Sequence, residues 1–156
     1  MVELDKIKFV TIKYVTEEQE LVYEAVRRVL PEQVAKSISL KNFSKMSVIG
    51  QYGDPMLLIE LVINKKPKEV IKHIFSKLTE TEKKRLLHEF NTRFDPETTT
   101  FFFRLDKFSP LKDDLYLNDG SDVIKVELKF KVYGKLDPEK IKEILQSLMG
   151  LEEDGI

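Results

Sequence analysis

Residues 65–85 gather Lys65, Lys66, Lys68, Lys72, Lys77, Lys83, Lys84 and Arg85 against Glu69, Glu80 and Glu82. Eight cations less three anions give +5, in a chain whose formal net charge is −1. Lys65, Lys66 and Lys68 crowd the start of a helix opened by Pro67, where free backbone N–H groups and the helix dipole already attract anions. That combination suits phosphate. The competing reading is a solvated helix face, the usual fate of a lysine run.

A second constellation is Gly50-Gln51-Tyr52-Gly53-Asp54-Pro55, set between the apolar runs "MSVI" and "MLLIELVI". Gly-x-x-Gly is the spacing with which KH domains clamp a nucleic-acid backbone, but there the glycines join helices and here they join strands. No Lys-Ser/Thr follows, so it is not a phosphate-binding P-loop. A hairpin turn, with a glycine at positive φ and Pro55 fixing the exit, fits the same residues. The local chemistry leaves both readings open.

A third is a strand face. Ile124, Val126, Leu128, Phe130 and Val132 alternate with Lys125, Glu127, Lys129 and Lys131, which implies one wet side carrying Lys125, Lys129, Lys131 and Tyr133. If "TTTFFFRL" pairs nearby, Thr100, Phe102 and Arg104 join that side. Lysines around aromatics could hold RNA by pairing with phosphates and stacking on bases. A dimer contact or an ordinary wet sheet fits equally.

Candidates for catalysis are sparse. Asp106, Asp113, Asp114, Asp119 and Asp122 could hold Mg²⁺ or form an acid/base pair, but no EF-hand spacing is present and "NDGSD" is hairpin chemistry. His73 and His88 fall on separate helices. The chain has no Cys, which excludes disulfides and thiolate chemistry. No catalytic residue, metal ligand or cofactor is expected.

These groups need a scaffold. Residues 7–15 read as a first strand, followed by a helix capped at Thr16 and stopped at Pro31; 32–42 are ambiguous. Strands at 43–49 and 56–64 flank the glycine loop as a hairpin. Two helices follow, from Pro67 and from a Thr79-Glu80-Thr81-Glu82 capping box. "DPET" at 95–98 is a turn, 98–105 a strand, "LYL" a short strand, and 122–133 a long one. Asp137-Pro138 opens a last helix ended by Gly150.

The order β, α, ββ, αα, βββ, α predicts a two-layer α+β fold, a mainly antiparallel sheet with helices packed on one face. At 156 residues, with 42% hydrophobic content, residues 1–150 are expected to form a single domain and 151–156 a flexible C-terminal tail. Dense balanced charge suits an ion-pair-rich surface. The acidic N-terminus and the lack of a run of about 20 apolar residues point to a cytoplasmic protein rather than a secreted or membrane one.

"GQYGDP", "FFFRLDKFSP" and "LNDGSDVIKVELKFKVY", with "LTETEKKRLLHEF" between them, resemble an archaeal family of predicted RNA-binding proteins or exosome-associated subunits. The likeness covers most of residues 7–134. It implies a fold like that of the ribosomal protein that binds 5S RNA. It singles out Gly50, Gly53, Pro55, Arg104, Asp106, Lys107, Asp119, Asp122 and Tyr133. Gln51, Asp54 and Phe108 depart from the family pattern, and the acid at 54 makes the loop a poorer phosphate binder. The resemblance implies a non-catalytic RNA-binding protein whose partners are RNA and other RNA-processing proteins. Lys65, Lys66, Lys68, Lys107, Lys129, Lys131 and Arg104 would lie along RNA, Tyr52 and Phe102 would stack on bases, and the glycines would shape the loop. The alternative is a homodimeric assembly subunit without RNA contact.

Overall fold

The computed structural model describes residues 2–151, so all but Leu151 of the expected tail at 151–156 lies outside the described residues. The strands are β1 (Val2–Lys13), β2 (Phe43–Ile49), β3 (Pro55–Ile63), β4 (Phe94–Asp95), β5 (Thr100–Asp106) and β6 (Val123–Val132). The helices are α1 (Gln19–Arg27), α2 (Glu32–Lys36), α3 (Pro67–Lys77), α4 (Glu80–His88), α5 (Phe90–Arg93) and α6 (Pro138–Leu148). Among the described residues the strands form one antiparallel sheet in the order β2-β3-β1-β6-β5-β4. The expected two-layer α+β class is the observed one.

One sheet face is apolar because the strands alternate. Ile7 and Phe9, Ile59 and Leu61, Phe101, Phe103 and Leu105, and Ile124, Val126, Leu128 and Phe130 are all buried. Against them lie Val22 and Val26 of α1, Ile71, Ile74 and Phe75 of α3, and Ile141 and Leu145 of α6, in one continuous core. The phenylalanines meet as rings: Phe90 lies 5.1 Å from Phe94 and 5.8 Å from Phe101, and Phe75 lies 5.7 Å from Phe103. Each such pair adds about 0.5–1.5 kcal/mol beyond area burial.

Local signals held where nothing competed for them. Thr79 Oγ1 accepts from Glu82 N at 3.1 Å and Glu82 Oε1 accepts from Thr79 N at 3.0 Å, closing the capping box of α4. Asp137 caps α6, and Gly150 turns out of it at φ 73°. Two expectations need correcting. The Thr16 box is not used: α1 starts at Gln19, because the Glu17 carboxylate accepts from Tyr14 N and binds Lys107 instead. "LYL" makes only a single bridge, Leu117 to Leu105. The amide of Leu117 donates to Glu82 Oε2 at 2.7 Å, and Asn118 Oδ1 accepts from Gly120 N, which turns the chain away.

Candidate nucleic-acid interface

The face opposite the helices carries Lys6, Lys8 and Val10 of β1, Glu60 and Val62 of β3, Phe102 and Arg104 of β5, and Lys125, Glu127, Lys129 and Lys131 of β6. Register aligns them in rows. Phe102 faces Glu127, which faces Lys8, which faces Val62; Arg104 faces Lys125, which faces Val10, which faces Glu60. One row further, Lys129 faces Lys6. Lys8 pairs with Glu60 at 3.4 Å and Lys125 with Glu127 at 4.0 Å. Lys6, Lys129 and Arg104 have no ion-pair partner among the described residues. The Lys125 ammonium sits 5.0 Å from the Phe102 ring centre, and that of Lys131 sits 5.7 Å from Tyr133, whose hydroxyl donates to Glu3 Oε1. Both aromatic rings on this side therefore already have a cation over them.

Sequence reasoning missed Lys6. The bulge in β1 between Leu4 and Lys6 breaks the alternation, so the strand was legible only from Ile7 onward.

Lys65, Lys66 and Lys68 are exposed at the start of α3, with Lys66 in the left-handed region at φ 51°. Ile63 pairs with Ile7, so the chain leaves the sheet beside Lys6. A cleft of about 510 Å³ at this corner is lined by Val34, Ile38, Val62, Lys65 and Lys66. The structure thus brings the three lysines to the same end of the sheet as Lys6, Lys129 and Lys131.

The glycine loop is at the other end of β3, roughly 26 Å away at the rise of an extended strand. Both glycine amides are spent internally: Gly50 N donates to Asp54 O at 2.8 Å and Gly53 N to Gly50 O at 3.0 Å. Gly53 needs its φ of 81°, and a Cβ on Gly50 would sit 2.7 Å from Asp54 Oδ1. The loop is a tight turn with a carboxylate folded over Gly50, not an amide cradle. It displays Tyr52 at 91% and Ile49 at 79% exposure.

Lys107, expected along RNA, is only 1% exposed. Its ammonium donates to Ile12 O, lies 2.6 Å from Glu17 Oε1 and 3.8 Å from Asp122, and sits 4.9 Å from the Tyr14 ring. It ties β1 and the following loop to the end of β5, and solvent cannot reach it. The acids are likewise engaged singly: Asp106 accepts from Ser109 N and Asn118 Nδ2, both at 3.0 Å. Asp119 pairs with Arg85 and lies 3.6 Å from Arg93. The hydrogen bond from Arg85 holds the Asp119 carboxyl below its ordinary pKa; Glu89 is lowered by Arg93 first and Arg85 second. Among the described residues no three acids or histidines converge on a point that could hold a metal. Half-buried His73, on α3, has its pKa lowered by burial and by Lys77.

An antiparallel sheet sheathed by helices on one side and rich in lysine on the other defines a two-layer α+β domain. The chain belongs to a protein family described as RNA binding, whose model matches residues 6–130. An uncharacterised protein of Methanocaldococcus jannaschii is 30% identical over 94% of this chain and 99% of its own. A protein of Pyrococcus abyssi named as an RNA-binding protein is 26% identical over 92% and 93% respectively. Among solved structures, a protein from Archaeoglobus fulgidus superposes with a TM-score of 0.77 at 24% identity, covering 94% of this chain and 99% of that one. One from Methanothermobacter thermautotrophicus gives 0.69 at 22%, over 94% and 98%; both speak for the fold. Among the described residues, no helix is long and apolar enough to cross a membrane.

Proposed function

We propose that this chain is a non-catalytic, cytoplasmic RNA-binding protein that serves as an accessory of RNA processing, with the exosome as the candidate machine. The observation that carries the RNA contact is the pair at one end of the sheet, Lys6 facing Lys129 with no ion-pair partner among the described residues; Lys131, which faces Glu3, and the exposed Lys65, Lys66 and Lys68 lie at the same end. Phosphates supply the missing anions. Family membership and the name of the Pyrococcus abyssi relative support RNA as the polyanion.

The test is fluorescence anisotropy with structured and single-stranded RNA at about 50 and 200 mM salt, on wild type, Lys6→Ala/Lys129→Ala and Lys65→Ala/Lys66→Ala/Lys68→Ala. Micromolar or tighter binding should weaken with a log–log salt slope of about −0.7 to −0.9 per phosphate contact, and both variants should flatten it. No binding at the lower salt sinks the reading.

A second reading, a homodimeric assembly subunit, is favoured by the exposed Met46, Ile49 and Tyr52 on the β2–β3 hairpin. Sedimentation equilibrium of wild type and Ile49→Lys decides it: a dimer that the variant dissolves supports assembly through this hairpin.

A further inference from the structure

We propose that the RNA held by this face is base-paired, gripped through the phosphates of both its strands; this rests on the RNA-binding reading above. The cations form two stations. One is Lys6, Lys129 and Lys131; the other is Arg104 beside Lys125. Four residues of β6 separate them, about 13 Å along the strand. On β6 one carboxylate, Glu127, lies between the stations, 4.0 Å from the Lys125 ammonium, while Glu60 stands in the row of Arg104 and Lys125 and pairs with Lys8. A single strand running along β6 from one station to the other would carry a phosphate over the Glu127 carboxylate. A duplex would not: its two phosphate rows flank a wide, shallow minor groove, which would straddle Glu127 and place one row on each station.

Base stacking points the same way. A single-strand platform stacks two or three bases on bare aromatic rings, each worth about 1–3 kcal/mol. Here Phe102 and Tyr133 each already carry a lysine ammonium over the ring, and Tyr52 stands far off at the hairpin tip.

The experiment compares a duplex of about 16 base pairs, its component single strand and a second duplex of unrelated sequence, by anisotropy with the full chain. The expected result is tenfold or tighter binding of both duplexes over the single strand. Arg104→Ala and Lys129→Ala should each weaken the duplex several-fold and shrink its salt slope, with Arg104→Ala scarcely changing the single strand. If the single strand binds as tightly as the duplexes, the base-paired assignment falls while RNA binding stands. If only one duplex binds, grip through phosphates falls. If none of the three binds at low salt, the RNA-binding reading itself has failed.

Discussion

Lys6 of β1 and Lys129 of β6 stand directly opposite one another, and among the described residues no carboxylate pairs with either. Like charges in this position destabilise a sheet by up to about 1 kcal/mol. The chain has 27 acidic residues, so lack of anions does not explain it. Lys6→Glu places opposite charges across the strands. It should leave the melting temperature unchanged or raise it, while RNA affinity drops at least tenfold. A variant that keeps wild-type affinity would remove this pair from the interface.

Gly53 supports the hairpin through its backbone alone, since a Cβ there would meet nothing within 4 Å. Its φ of 81° is the whole constraint. Gly53→Ala should cost about 1 kcal/mol, and Gly53→Asn less, because asparagine tolerates the left-handed region. Gly50→Ala meets only the exposed Asp54 carboxylate, which can turn aside, so its cost should fall below that of Gly53→Ala and vanish when combined with Asp54→Ala. Chemical denaturation of the four variants tests the order. Equal costs at Gly50 and Gly53, with no rescue, would refute the account.

Lys107 predicts the largest loss. Removing its ammonium takes the ion-pair partner from the largely buried Glu17, which keeps only the Tyr14 amide, and the side-chain donor from the Ile12 carbonyl. Lys107→Ala should cost about 3 kcal/mol, in the range for breaking a buried ion pair. Lys107→Met keeps the volume, and with Glu17→Gln it also removes the stranded charge, so that double variant should recover much of the loss. If all three variants unfold at the wild-type midpoint, the lysine is not structural.

Lys107 also shows why the fold was more legible than the site. Alternation in β6 and the helical spacing of α3 report which side chains face inward, and these fixed the architecture. Exposure of a single polar residue depends on what folds over it, and Glu17 and Asp122 lie far from Lys107 in sequence. The same limit hid the partnering of Lys125 with Phe102 and the length of β3 that separates the Gly50 loop from Lys65. Lys6 was lost for a local reason, the bulge that scrambles its strand's pattern. The basic segment after β3 was legible because its charge asymmetry does not depend on tertiary contacts.

The Arg85–Asp119–Arg93–Glu89 cluster fixes the loop before β6 to α4 and α5, and it predicts how stability responds to acid. Asp119 and Glu89 have folded pKa values below their ordinary ones, so they bind fewer protons folded than unfolded there. Their contribution is full above the ordinary carboxylate range and is lost as pH falls through the lowered values. Both are partly exposed, so the effect is small and screened. His73 acts at higher pH. Its lowered pKa keeps it neutral in the fold, so stability should begin to fall as pH drops below the ordinary imidazole value of 6.5. Melting temperature against pH should therefore decline in two steps. His73→Gln should flatten the upper step only, and Arg85→Gln the lower step only. About 1 M salt, where the Debye length is near 3 Å, should weaken the lower step more, because the upper one rests first on burial. A decline in which both variants flatten the same step would contradict these assignments.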